Sequence, residues 1–559
     1  MKKKFISTLM ALTMSLTIFT GCGGKKNDAS NSANATTKVK DKIVYATTTA
    51  PAGTFNPLLA YMGSDGDIDS MVYSSLLRMK QDGSLESYLA ESYDVSEDQK
   101  TITFKLKNNA KWHDGKKVTA EDVAFTFLTM AHKDFPGTDY NKVEKLVGAK
   151  EYHEGKADNI KGLQVIDEYT IKFQFAEIYA SALGKIGTYE IIPKHIWEPI
   201  PYAEWEKKTQ MLNNPIGCGP YKVTKYESGQ YVELAAFDEF FGGKPKTPKL
   251  IFKVVNADAI TAEFKSGNID IAGVKELRKS EIEPLEKQGY KLLSYDDDMY
   301  QYIGINMRMP IFQDKNLRQA FMYAVDRQLI IDKLLEGRGS VLNAPFMKNG
   351  WANPSDGSLN EYKYDPEKAK SLLEASGWVD KDGDGIRENA EGKKLQFTMR
   401  CSNDSKTREQ AIMIVQDSWK KVGIDIKVSV EEDAKMAEDC IYNHEFELYA
   451  LNCYFGSDPD PYFWWHSNSA HDEKGVGSFN FGAYKNKDVD QNIEKALGTL
   501  KQDERAKYYE KVAKQINEDA PMMFLYTQNK EMLYNGKLNG FEPTTFNTFY
   551  NVNNWVIQE

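Results

Sequence analysis

The sequence predicts a mixed α/β protein with several lobes, and three observations carry that prediction. Segments with the two-residue alternation of strands and segments with the 3.6-residue period of helices follow one another irregularly along the chain. Its 559 residues exceed what one core organises, at roughly 100–200 residues per domain. Hydrophobic residues make up 41%, enough to fill sizeable cores, and the 27% charged content is that of a globular chain. No segment recurs at a fixed period, which excludes a solenoid.

The elements follow in order. Lys42–Ala46 and Thr101–Leu106 alternate polar and apolar residues as half-buried strands do. Val118–Val123 reads as a helix start: Thr119 is the N-cap, Asp122 takes the capping-box position, and Val118 and Val123 close a hydrophobic staple on a helix reaching about Ala131. Leu317, Ala320, Phe321, Ala324 and Val325 form one apolar helical face after Asp314. Glu367 to Ser376 follows Pro366 and stops at Gly377. Ala411, Ile414, Val415, Trp419 and Val422 form another face, succeeded by a strand from Ile424 to Val430. Tyr508, Tyr509, Val512 and Ile516 form the last, halted by Pro521.

The first residues predict the compartment. Lys2, Lys3 and Lys4 precede an uncharged apolar run from Phe5 to Thr20, the pattern of a secretory signal and too short for a bilayer span of about 20 residues. Ile18-Phe19-Thr20-Gly21-Cys22 resembles the lipobox of bacterial lipoproteins; the alternative is an ordinary signal peptide with an unrelated cysteine. With the lipobox, residues 1–21 are removed and Cys22 carries the acyl chains, two or more giving stable anchoring. Losing three lysines then moves the net charge from −10 to −13. Gly23 to Lys40 is polar and small, a flexible tether reaching at most about 60 Å.

The acidic body, with pI near 5.5, disfavours a nucleic-acid partner. Five cysteines, none in a Cys-x-x-Cys pair, exclude a disulfide scaffold, a zinc ribbon and a thioredoxin-type site. The chain has no Gly-x-Ser-x-Gly, His-Glu-x-x-His or P-loop signature, so nothing recommends an enzyme, although a carboxylate-based hydrolase stays open. Asp380, Asp382 and Asp384, with Gly385 and Glu391 at loop positions 6 and 12, resemble an EF-hand loop that would hold a structural Ca²⁺. An acidic surface turn is the other reading, because Ile386 stands at position 7 and Gly392-Lys393-Lys394 starts no helix.

Seven short blocks then occur in one order. They are Lys111-Trp112-His113-Asp114-Gly115 with Val118–Val123, Pro215-Ile216-Gly217-Cys218-Gly219-Pro220-Tyr221, Phe237–Pro245, Gly267-Asn268-Ile269-Asp270, Leu317-Arg318-Gln319-Ala320 through Asp326-Arg327, Asp458-Pro459-Asp460-Pro461, and Glu518-Asp519-Ala520-Pro521. Together they resemble the peptide/nickel-type extracellular solute-binding proteins, family 5, of ABC importers. The resemblance implies a periplasmic-binding-protein-like class II clamshell: two lobes plus an extra domain. Domain I would comprise 41–87, 185–300 and 523–559, domain II 88–184, and domain III 301–522. It implies an oligopeptide ligand held between domains I and III through its backbone, delivery to importer permease subunits, and action as a lipid-anchored monomer. A nickel chelate, haem or oligosaccharide is the alternative ligand.

The resemblance also nominates ligand-binding residues. Tyr61, Met62, Gly63 and Ser64 would offer backbone to the peptide; Tyr300, Gln301 and Tyr302 fall on the crossover strand into domain III, and Cys453, Tyr454 and Phe455 on the strand facing the ligand. Asp458 would capture the peptide α-amine, although Ser457 holds the position the family's aspartate usually takes relative to Pro461. Tyr462 to His466 form an aromatic cluster that is either pocket wall or core.

Overall fold

An eleven-stranded sheet forms the spine of the protein. The computed structural model describes residues 38–60, 63–137 and 139–558. The chain divides into Met1–Lys38 and Val39–Glu559, and the sheet and cores belong to the second unit. The signal segment and Cys22 lie outside the described residues, as do Tyr61 and Met62.

At the centre of the sheet the strands Tyr290–Ile305 and Met522–Asn535 pair antiparallel along most of their length, with register shifts between Asp296 and Tyr300 and between Gln301 and Tyr302. On one side follow Ile271–Gly273, Lys42–Thr47, Lys249–Val254, Tyr231–Ala236 and Tyr221–Glu227. On the other follow Leu448–Tyr454, Gln396–Ser402 and Asp425–Glu431, and the eleventh strand, Gly339–Val341, pairs with Met522–Asn535. A separate antiparallel sheet of four strands is built from Ala90–Val95, Thr101–Leu106, Thr170–Gln174 and Leu163–Asp167.

Apolar packing sorts these elements into two lobes. One core runs from Ile43 through Phe252 and returns with Met532 to Ile557, joining the four-stranded sheet to the first half of the large one. A smaller core from Val44 to Leu285 backs it. Two further cores draw their buried residues from Tyr300 to Tyr526. The two long central strands are thus shared between lobes, the arrangement of a hinged clamshell. Among the described residues, no helix is long and apolar enough to cross a membrane.

The helices form where their caps place them. In Ala120–Ala131, Asp122 Oδ2 accepts the Thr119 N–H at 2.9 Å, and Val118 and Val123 are fully buried. Asp314, Asp365 and Ser405 cap Lys315–Tyr323, Pro366–Ala375 and Lys406–Lys420 through side-chain oxygens. Gln502–Asp519 ends at Ala520, which turns to φ +46° before Pro521.

Two of the seven blocks form one structural joint. A Cβ on Gly217 would stand 1.9 Å from the Val72 carbonyl oxygen, and one on Gly219 2.5 Å from that of Met71, so only glycine fits either position. His113, from the other block, reads the same turn: Gly217 N–H donates to Nδ1 at 3.2 Å, and Nε2–H donates to the Gly219 carbonyl at 3.0 Å. Burial pushes the imidazole down to about 4, because the protonated ring would lose water and the Gly217 bond. The unfolded chain binds this proton near pH 6.5 and the folded chain only near 4. This contribution to stability is therefore complete above pH 6.5 and is lost as pH falls towards 4, by up to about 3 kcal/mol. Urea unfolding at pH 7 and pH 4.5 checks it: a His113→Gln variant should lose this part of the pH dependence.

Candidate ligand-binding cavity

The cavity is built from the strand Leu448–Tyr454 outward. That strand pairs antiparallel with Tyr290–Ile305, setting Cys453 opposite Tyr300 and Asn452 opposite Gln301. Alternation sends the first pair to one face and the second to the other. Tyr300 and Cys453 face a partly open cavity of about 650 Å³ counting the solvent at its mouth, and Tyr454 and Phe455 also line it. Phe455 N–H donates to the Asp298 carbonyl at 2.8 Å, and its ring packs on Tyr300 with centroids 4.9 Å apart. Phe346, Met347, Trp351, Trp464 and Trp465 line it as well. Asp82, Gly83 and Phe546 come from the first lobe, so the cavity lies between lobes.

Its chemistry is aromatic with two acidic groups, Asp82 and Asp460, and no basic side chain. Burial pushes the Cys453 thiol up to about 12, so no thiolate nucleophile exists there, and none of the residues lining the cavity is histidine. The lining carboxylate of Asp460 accepts the Tyr462 N–H at 2.9 Å; desolvation, then the charge of Asp458, pushes its pKa up. Such a space suits an apolar ligand group flanked by a few polar backbone atoms.

Several nominated residues have other roles. Gln301 turns away from the cavity, and its Oε1 accepts Arg408 Nε–H at 2.8 Å, while Arg408 also bonds Asn452. Tyr302 is 1% exposed and packs edge-on against Tyr449. Gly63 and Ser64 open the helix Gly63–Val72, with Ser64 Oγ donating to the Ala50 carbonyl, and neither lines the cavity. Asp458 does not present a free carboxylate: Arg505 grips it in a bidentate pair at 2.5 and 2.8 Å, with side-chain exposures of 5% for Arg505 and 11% for Asp458. Its charge and lone pairs are committed to a buried guanidinium, which removes the basis for amine capture there.

The aromatic cluster splits. Trp464 and Trp465 line the cavity, while Tyr462 stacks on His466 at 4.3 Å. The wall from Pro345 to Ala352 was not among the sequence candidates, and Trp351 among glycine and asparagine was its one available signal.

The acidic loop stands apart. Asp380, Asp382 and Asp384 are exposed with carboxylate oxygens within 4.8 Å of one another. Lys394 Nζ sits among them, 2.6 Å from Asp382 and 3.0 Å from Asp384. The loop closes as a hairpin, with Val379 bridged to Glu388, rather than leading into a helix as an EF-hand would, and Glu391 is not in the cluster.

Comparison with known proteins agrees with this architecture. Residues 84–474 match the model of bacterial extracellular solute-binding proteins, family 5. The oligopeptide-binding protein AppA of Bacillus subtilis is 30% identical, covering 99% of each chain. Its structure with a nonapeptide superposes with a TM-score of 0.68 at 29% identity, covering 93% of this chain and 100% of that one. NikZ of Campylobacter jejuni, solved with Ni(L-His), gives a TM-score of 0.70 at 27% identity, covering 92% and 99%. The chain belongs to the bacterial extracellular solute-binding proteins, family 5.

Proposed function

We propose that the protein captures oligopeptides in the cavity between its lobes and delivers them to an ABC importer. The observation that carries this reading is an aromatic cavity walled by both lobes, in a chain similar along its whole length to an oligopeptide-binding protein. Two lobes sharing two strands can open to admit a ligand and shut to bury it, and a shut form is what a permease distinguishes from an empty receptor. Binding is not followed by turnover. Calorimetry with a peptide pool, with Ni(L-His) and with haem tests this: heat from the pool alone supports it, and heat from the chelate or haem alone would replace the ligand class.

The finer parts rest on the sequence. Cys22 is the acylated first residue, Gly23 to Lys40 the tether, and the receptor acts as a monomer on the outer face of the membrane. Cys22→Ser should move the protein from the membrane fraction to the medium. The Asp380–Asp382–Asp384 loop is an acidic surface turn balanced by Lys394; the alternative is a structural Ca²⁺ that displaces this ammonium, and on that alternative two results follow. Millimolar Ca²⁺ should raise the melting temperature above its value in EDTA, and Asp382→Asn should abolish the difference.

A further inference from the structure

Leu500 belongs to the second lobe by chain position and to the first by packing. It lies just before the helix Gln502–Asp519, yet its side chain, 9% exposed, is part of the core built on the four-stranded sheet. Its N–H donates to Gln99 Oε1 at 2.7 Å, and the Thr499 hydroxyl donates to the same oxygen at 3.0 Å. Gln99 occupies the turn between Ala90–Val95 and Thr101–Leu106 at φ +56°, a conformation that a residue with a Cβ rarely adopts.

Arg505, on the first turns of the same helix, makes a second crossing. It is 4% exposed. Its Nη1 donates to the Ala180 carbonyl at 3.1 Å, in a first-lobe segment whose Ala182 and Ile186 are core residues. The same guanidinium holds Asp458 and the Tyr509 hydroxyl, and it lies 5.2 Å from the ring of the cavity residue Trp351. Gly184, from the first lobe, faces this pair closely: a Cβ there would meet the Asp458 Cβ at 3.7 Å.

We propose that residues 499–505 are the clasp that holds the lobes shut, and that Asp458 serves this clasp rather than receiving a ligand ammonium group. The Gln99 bonds, the Leu500 packing and the Arg505–Ala180 bond join groups of different lobes that separate and meet water when the lobes part, so these stabilise the shut form alone, while Asp458 and Tyr509 hold Arg505 in place from within the second lobe. A ligand cation at Asp458 would have to break a bidentate pair with a buried guanidinium, which leaves that charge unpaired. Asp458 then plays no part in reading a ligand's α-amine, and the carboxylates a ligand meets are the lining Asp82 and Asp460. The amine clause rests on the peptide reading; the clasp does not.

Gln99→Gly tests the clasp. Glycine adopts the left-handed turn without strain, so the variant should still fold while losing both interlobe bonds. Small-angle scattering of the full chain and the variant would be recorded alone and with the pentapeptide Ala-Ala-Phe-Ala-Ala. Release kinetics and the affinity of the N-acetylated pentapeptide would complete the set. The expected results are a larger radius of gyration for the variant, peptide release about tenfold faster, and a ratio of free- to acetylated-peptide affinity that Asp458→Asn leaves within about twofold of the parent's. Superimposable scattering in both states with unchanged release overturns the clasp. A tenfold preference for the free amine that Asp458→Asn abolishes overturns the assignment of Asp458. Failure of the parent to bind either pentapeptide counts against the peptide reading, and the ligand-free scattering then decides the clasp.

Discussion

Arg505→Met is expected to destabilise the protein by about 3–5 kcal/mol, because it strands a buried charge. The substitution keeps an apolar stem but leaves the Asp458 carboxylate buried with no counter-charge and the Ala180 carbonyl without its donor. Removing both charges is a different case. Arg505→Met with Asp458→Leu replaces a desolvated pair by apolar volume, a change that is often near neutral, so the double variant should recover most of the loss. Denaturant unfolding of the single and double variants measures it. Equal losses in both would mean that the ion pair is incidental and that packing against Trp351 and Tyr509 carries the effect.

Phe455→Ala is expected to weaken ligand binding by about 2 kcal/mol, roughly 30-fold, with little change in fold stability. Its ring is only partly buried, lines the cavity and rests on Tyr300, so truncation removes contact area that a ligand would cover rather than core volume. Calorimetry with the Phe-bearing pentapeptide reads the change. Tyr302→Phe makes the contrast: it packs in the lobe core against Tyr449 and does not line the cavity, so binding should be unaltered.

The fold was legible where local chemistry decides it. Capping residues such as Thr119, Asp314 and Asp365 fix helix starts through bonds spanning two or three residues, and those starts form where the pattern places them. The two glycines at 217 and 219 mark a turn whose reason is not local: the carbonyls that demand them belong to Met71 and Val72. Sequence shows the glycines but not their partners.

The site was only partly legible, for the same reason. Tyr300 and Cys453 reach the cavity because alternation puts them on one face and Gln301 on the other, but nothing in the chain shows which face is open, that Tyr454 and Phe455 carry the wall to and past the strand end, or that Tyr302 is buried in the lobe core. Asp458, in irregular backbone, carried the right charge for an amine, and its partner Arg505 lies far along the chain on a helix. A carboxylate's availability depends on what folds against it, and residue type alone does not report that. Trp351 and Phe346 were missed because they sit in irregular backbone with no period to read.

That the cavity between the lobes holds an oligopeptide is tested most directly by native mass spectrometry of the purified full-length chain, followed by denaturation and sequencing of what is released. One bound peptide per chain is predicted, drawn from a mixture whose members share an aromatic or large apolar residue. Release of a metal chelate, a haem or a sugar in place of peptide would contradict it.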